Sequence, residues 1–381
     1  MLSASANAMM SLPAAAYTSA DFFRAEMQHI HLRRWFFAGR VDEIGSPGDY
    51  RAIETVAGPV LLVRDLQGEV RALANCCRHR GSLLATGSGN RRMIVCPYHG
   101  WGYRLDGSLA AAPDMDQTPG FDPKAHGLAR LRVEAIQGFI FLNVDPTAKP
   151  LLADIGNFPA VFASHRLDEM ACTWRIEFDA ACNWKLLVEN AMESYHTGYI
   201  HAKTVGAQTS AEIETTGEWE CIQVLDDASI AILGEAPPPF PPIAGLSPEA
   251  QRGTYFSMVL PCTQFAVAQD SMWWLSVRPL APDRSILSVG GCFPRDVIAR
   301  PDFAEGAPLY YDRWRRVAEE DVGMLETQQR GFSSVLYRRG PLSWREATVH
   351  RLHEWVLRQL PASVRAAIGI ADSALTPSSS P

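Results

Sequence analysis

The chain has 381 residues, of which 47% are apolar and 20% charged, with a formal net charge of -7. That length supports two domains and a sizeable core. The acidic balance, with no Lys/Arg-rich run, argues against nucleic acid or an anionic membrane surface as a partner, and no stretch of about 18 apolar residues suggests a spanning helix.

Met1 to Ala16 is rich in Ala, Ser and Met, with no Lys or Arg before Arg24 and no compact apolar segment. It reads as a floppy tail rather than a signal peptide, which implies a cytoplasmic protein. Asp21 to His31 reads as an amphipathic helix with Phe22, Phe23, Met27 and Ile30 on or near one face. Eight cysteines in a chain of this length, without an export signal, are expected to be mostly small buried apolar residues rather than a disulfide framework.

Short apolar runs follow at Trp35-Phe37, Val60-Val63 and Met93-Val95, with turn signals between them, and predict a small β sandwich or barrel. Within it stand Cys77-Arg78-His79-Arg80-Gly81 and Cys96-Pro97-Tyr98-His99-Gly100-Trp101. Cys-x-His, sixteen residues, then Cys-x-x-His supplies two thiolates and two imidazoles, the ligand set of a Rieske [2Fe-2S] centre. A Cys2His2 zinc site uses the same residue types, and spacing alone does not exclude it. The flanks discriminate: Asn75-Cys76-Cys77-Arg78-His79-Arg80-Gly81-Ser82, then Cys96 to Trp101, Tyr103, Asp106-Gly107 and Pro113 resemble the Rieske domain of the ring-hydroxylating oxygenase family. The resemblance implies two glycine-closed loops that aim backbone N-H groups at cluster sulfurs. Ser82 and Tyr98 stand where respiratory-type Rieske proteins carry an extra cysteine in each loop, so the oxygenase type is favoured. Cys76 is read as a packing residue. Gln137 to Val144 closes the domain, and Asp145 to Pro150 reads as a linker.

Helical texture resumes at Leu151 to Phe162, and Trp174 to Ala180 alternates like a strand. Then comes Asn183-Trp184-Lys185 and Glu189 to His201. His196 and His201 are five residues apart, which on a continuous helix turns their rings roughly 140° away from each other. Gly198 can break the helix between them and bring them together, with Glu193 one turn before His196. Two imidazoles and a carboxylate from elsewhere make the facial triad of non-haem Fe(II); two satisfied histidines are the plainer reading. Ala236 to Pro242, with five prolines, marks a loop, either a lid or channel mouth or an ordinary surface loop. Strands at Thr254-Leu260, Thr263-Ala268, Met272-Pro279 and Ser285-Cys292 read as an antiparallel meander. Two helices, Leu309-Gln329 and Ser343-Leu360, complete the pattern.

On the first of these helices Asp321 falls within the apolar stripe of Trp314, Val317, Ala318, Val322 and Leu325. A buried carboxylate needs a compensating charge, from a metal or from an arginine such as Arg315 or Arg330. Glu320-Asp321-Val322, Glu326, Gln329-Arg330-Gly331 and Tyr337 to Gly340 resemble the C-terminal segment of the same oxygenase family. That resemblance makes Asp321 the third ligand of a mononuclear Fe(II) beside His196 and His201, with Cys77, His79, Cys96 and His99 on the cluster. It implies an α+β protein: an all-β Rieske domain, then a helix-grip (START-like) catalytic domain whose antiparallel sheet wraps a pocket and a long helix. The expected limits are 1–34 for the tail and a helix packed on the catalytic domain, 35–150 for the Rieske domain, 151–371 for the catalytic domain, and 372–381 for a disordered tail.

The same resemblance implies O2 as cosubstrate and a homotrimer in which Glu193 links a cluster histidine of one subunit to an iron histidine of the next. No G-x-G-x-x-G follows a strand, so NAD(P)H would act only through a separate reductase, with or without a ferredoxin. Glu193, where the aromatic dioxygenase branch carries Asp, resembles the branch acting on choline, carnitine and glycine betaine. A quaternary ammonium needs an aromatic cage, for which Trp273, Trp274, Phe265 and Tyr199 are candidates; an aromatic ring is the other substrate expectation. The contrasting expectation is a non-catalytic electron carrier or ligand-binding protein that keeps the cluster and lacks a working second iron.

Overall fold

The computed structural model describes residues 9–227, 229–234 and 236–370. They form two compact units, one of Leu32–Leu151 and one made from the residues before and after it. The expected tail at 372–381 lies outside the described residues. Among the described residues no helix is long and apolar enough to cross a membrane.

The smaller unit is built from ten strands: β1 (Phe36–Arg40), β2 (Asp49–Thr55), β3 (Gly58–Arg64), β4 (Val70–Ala74), β5 (Ser88–Asn90), β6 (Met93–Val95), β7 (Gly102–Arg104), β8 (Leu109–Ala111), β9 (Arg130–Ile136) and β10 (Phe139–Asn143). Seven run in the order β1-β10-β9-β4-β3-β2-β5, and β6-β7-β8 form a separate small sheet. Alternation along β3 divides its side chains between two cores. Leu61 and Val63 pack with Leu73, Ile94 and Tyr103, while Val60 and Leu62 pack with Ile44, Ile140 and Leu142. The first core also holds Cys77 and Cys96, so the strands that bury apolar surface also fix the two cysteine loops.

In the larger unit a seven-stranded antiparallel sheet runs β11-β17-β16-β15-β14-β13-β12, from β11 (Met170–Ala180), β12 (Ser210–Glu212), β13 (Trp219–Leu225), β14 (Gly253–Val259), β15 (Thr263–Val267), β16 (Met272–Ala281) and β17 (Arg284–Pro294). The meander read from sequence is its centre; β12 and β13 were not foreseen. The long helix, Phe303–Phe332, lies on the sheet and buries Tyr310, Trp314, Ala318, Val322 and Leu325. Gly291 makes that approach possible, because a Cβ there would stand 1.9 Å from Cζ3 of Trp314.

The N-terminal helix Ala20–Glu26, capped by Ser19 and continued by a π turn to His31, packs Phe22 and Ile30 into the same core. Glu26 and Lys185 form a fully buried ion pair at 2.6 Å, with Nε1 of Trp184 donating to the same carboxylate at 3.2 Å. Charges this deep persist only when paired, so this contact ties the N-terminal helix to the helix Trp184–Asn190. The proline-rich loop is anchored rather than hinged: Phe240 is buried, stacked on Phe303 and Tyr310 at 5.5 and 5.4 Å. None of residues 236–242 is among those that line the cavity described below.

Candidate metal centres and the adjoining cavity

The two cysteine loops of the smaller unit are near copies of each other. Cys77 N-H donates to Ser82 O at 2.8 Å and Gly81 N-H donates to Cys77 O at 2.9 Å. Likewise Cys96 N-H donates to Trp101 O at 2.8 Å and Gly100 N-H donates to Cys96 O at 3.1 Å. Each loop closes through a glycine at positive φ, 76° for Gly81 and 74° for Gly100, a conformation that disfavours any side chain. Asn75 braces the first loop, accepting from the N-H groups of Leu84 and Ala85 and donating to Ala85 O.

Both thiols are buried and both imidazoles exposed, with the His79 and His99 rings 4.8 Å apart. Trp101 stacks on His79 at 5.0 Å. Burial alone would raise the Cys96 pKa. The backbone N-H groups of Tyr98 and His99, with Cys77 and Ser82, outweigh that and hold it below the ordinary thiol value. Tyr103 hydroxyl lies 3.3 Å from Cys77 Sγ and accepts from Arg78 N-H at 3.0 Å. Two buried thiols beside two exposed, neighbouring imidazoles are the donor set that a Rieske [2Fe-2S] cluster uses. Cys76 is exposed, contrary to its reading as a packing residue, because its neighbour Cys77 takes the inward position.

In the larger unit, the helix Trp184–Asn190 ends at Asn190 and a short helix begins at Thr197. The break thus falls at 191–196, not at Gly198. Gly198 lies inside the second helix, where a Cβ would meet Ala207 Cβ at 3.2 Å. Glu193 stabilises the bend, accepting from Tyr195 N-H and from His196 N-H at 3.1 Å. The break turns the two imidazoles toward each other, with ring centroids 5.2 Å apart.

Both Nε2 atoms then converge on Asp321 of the long helix: His201 Nε2 lies 3.0 Å and His196 Nε2 3.7 Å from Oδ1. Each Nδ1 meets a separate carboxylate at 2.6 Å, His196 with Glu193 and His201 with Glu320. Nδ1-H donation to those carboxylates leaves each Nε2 lone pair free for a metal and fixes the ring plane. Burial opposes the charged form of His201, but Asp321 and Glu320 outweigh it and raise its pKa. Asn190 Nδ2 donates to Asp321 Oδ1 at 3.1 Å, and Thr204 Oγ1 donates to Glu320 at 2.8 Å. His196, His201 and Asp321 are the one such metal-ligand group among the described residues. Of the two arginines weighed as partners for Asp321, Arg315 pairs instead with Asp312 and Glu319.

Glu320 was missed by sequence reasoning as a holder of His201; on a helix exposed along one side, an acidic residue next to Asp321 reads as solvated. The triad opens on a cavity walled mostly by apolar side chains, among them Leu187, Phe256, Met258, Trp273 and Trp314, with Gln208 and Gln264 as polar members. Of the four aromatic candidates only Trp273 lines it. Trp274 and Phe265 are paired across the opposite face of the sheet, and Tyr199 is exposed. Two imidazoles and a carboxylate converging beside a cavity are the donor set and setting that a mononuclear iron of an oxygenase would use.

Comparison with known proteins agrees. The model of the ring hydroxylating alpha subunit (catalytic domain) matches residues 167–362, and that of the Rieske [2Fe-2S] domain matches 34–122. The chain is 30% identical to choline monooxygenase, chloroplastic, of Beta vulgaris, over 90% of this chain and 76% of the relative. It is 27% identical to the glycine betaine monooxygenase oxygenase subunit of Chromohalobacter salexigens, over 87% and 82%. The crystal structure of the quaternary ammonium Rieske monooxygenase CntA with L-carnitine superposes with a TM-score of 0.78 at 25% identity, covering 92% of this chain and 96% of that one. The chain belongs to the ring-hydroxylating oxygenase alpha-subunit family, and is a terminal Rieske oxygenase, an oxidoreductase with a [2Fe-2S] cluster and a mononuclear iron.

Proposed function

We propose that Cys77 and Cys96 hold one iron of the cluster and His79 and His99 the other, while His196, His201 and Asp321 hold the mononuclear iron beside the cavity. When bound, the cluster supplies single electrons and the mononuclear iron supplies O2 activation. The residues do the rest. Glu193 and Glu320 hold the Nδ1 protons of the two ligand histidines, and so keep both Nε2 atoms aimed at one point. The apolar walls keep water from the oxidised carbon. The convergence of the two Nε2 atoms on Asp321 is the observation that carries this reading.

Electrons come from a separate NAD(P)H-dependent reductase, with or without a ferredoxin. The working assembly is a homotrimer in which Glu193 would accept hydrogen bonds from a cluster histidine of one subunit and from His196 of the next, and so fix both rings. The two oxygens of Glu193 bond within the chain to His196 and to backbone N-H groups, and a carboxylate retains lone pairs for a further imidazole. None of the eight cysteines is in a disulfide, which suits the cytoplasm. The substrate is a small organic molecule, a quaternary amine or an aromatic ring; the named activities of the relatives favour the amine.

His196→Ala tests the assignment. It removes the mononuclear iron alone, leaves the two cluster irons with their EPR and visible spectra, and abolishes O2-dependent product formation. Unchanged turnover would disprove the triad.

A further inference from the structure

Arg313 is the one lysine or arginine on the wall of the triad cavity among the described residues, and it is only 3% exposed. Its Nε-H donates to Ile230 O at 3.1 Å, and its guanidinium lies over Trp273 at 4.5 Å. A guanidinium has five N-H donors in a planar fork. The two terminal nitrogens have no hydrogen-bond or ion-pair partner among the described residues, although the other arginines of this helix mostly do. Arg315 and Arg316, exposed on the outer side, pair with Asp312 and Glu319. Burial lowers the Arg313 pKa to about 10, so it stays cationic at neutral pH.

Arg313, Val317 and Asp321 recur at four-residue intervals and share one face of the long helix. Their first and last Cα atoms are about 12 Å apart along the axis, at 1.5 Å per residue. This row therefore carries Asp321 of the triad at one end and, at the other, a buried cation that feels the charge of Asp321 from a distance but makes no ion pair among the described residues. Between them stands Val317, and the facing wall is mostly apolar, with Phe256, Leu275 and Val289 beside the amide of Gln264.

We propose that Arg313 binds a carboxylate of the substrate, so that the enzyme takes a small organic acid or zwitterion and oxidises it at the end remote from that carboxylate. A buried guanidinium without a hydrogen-bonded anion is costly, and a planar carboxylate accepts from its two terminal nitrogens at once. The same placement argues against a bare cation as substrate. Arg313 already covers a face of Trp273, the expected cage residue, and repels a second positive charge beside it. The proposal rests on the oxygenase reading above, and it narrows that reading to a substrate class.

Two matched probe pairs test it: glycine betaine against choline, and benzoate against benzyl alcohol. Each pair exchanges a carboxylate for a hydroxymethyl group on the same frame. Binding to the anaerobic, fully metallated enzyme is measured by calorimetry. We expect the carboxylate member of at least one pair to bind more than tenfold more tightly than its alcohol. Arg313→Gln removes that preference and leaves the alcohol within twofold, and Arg313→Lys restores part of it. Iron content and the cluster EPR signal stay at wild-type values in both variants, which separates lost recognition from lost folding. The proposal is overturned if wild-type enzyme shows no preference in either pair, or binds none of the four, or if Arg313→Gln keeps the preference. The wild-type comparison needs no variant. Iron content and O2 uptake on the same samples report on the oxygenase reading independently: His196→Ala lowers both and leaves the carboxylate preference in place.

Discussion

Glu320→Ala removes the carboxylate that accepts from Nδ1-H of His201 at 2.6 Å, and touches no ligand atom of the triad. His201 is almost fully buried, so its freed Nδ1-H finds water poorly, and the ring loses the contact that fixes its tautomer and plane. Loss of such an outer partner typically weakens metal binding by about 10- to 100-fold, or about 1.4 to 2.8 kcal/mol. The shortness of this hydrogen bond places the effect toward the upper end, because bonds to charged groups are about twice as strong as neutral ones. Thr204 also donates to this carboxylate, so Thr204→Val should produce a smaller loss in the same direction. The assay is Fe(II) reloading of protein stripped of its mononuclear iron, in competition with a chelator of known affinity. The cluster EPR signal serves as an internal control. Glu320→Gln, which keeps an acceptor but not the charge, should fall between wild type and Glu320→Ala. Iron affinity within twofold of wild type for Glu320→Ala would refute the claim that Glu320 positions His201.

Glu26→Gln or Lys185→Met leaves a buried charge without its partner and should cost about 3 to 5 kcal/mol, read as a fall in the melting temperature. Combining Glu26→Leu with Lys185→Met should recover most of that loss; an additive double loss would contradict this. Burial pushes His31 down to about 3 and His165 down to about 4. Both are neutral in the fold, so the unfolded chain takes up protons first. Their contribution is full above about pH 6.5 and falls as pH drops toward those values, by about 2 kcal/mol each at pH 5. Melting at pH 7.5 and 5.0 checks this, and replacing both by Leu should flatten the difference. Tyr103→Phe removes the hydroxyl beside Cys77 Sγ and should shift the cluster reduction potential negative in a redox titration, since hydrogen bonds to sulfur favour the reduced cluster.

The cluster loops were legible because their ligands lie close in sequence and the glycines that close them follow at once. That His196, His201 and Asp321 converge was expected from their residue types, but the geometry that brings them together was not legible. Gly198 drew attention as the only residue between the histidines able to break a helix, yet the break belongs to the Glu193 side chain, which competes for the backbone N-H groups of 195 and 196. Trp273 and Trp274 could not be separated by type. Adjacent strand residues face opposite sides, and only the register Ala266 with Trp273 and Phe265 with Trp274 decides which faces the chamber. Phe256 and Trp314 were missed for the same reason, because a cavity wall is assembled across strands and a helix far apart in sequence. Arg313 and Glu320 look like solvated charges in a helix rich in them, and only the packing of that helix on the sheet distinguishes their positions.

Anomalous scattering from crystals of the metallated protein, recorded on both sides of the iron absorption edge, tests the two-centre account most directly. We expect one single-iron peak bounded by His196, His201 and Asp321, and one two-iron peak bounded by Cys77, Cys96, His79 and His99. A signal at the zinc edge between the two cysteine loops, or no iron peak at the triad in protein that turns over O2, would contradict it.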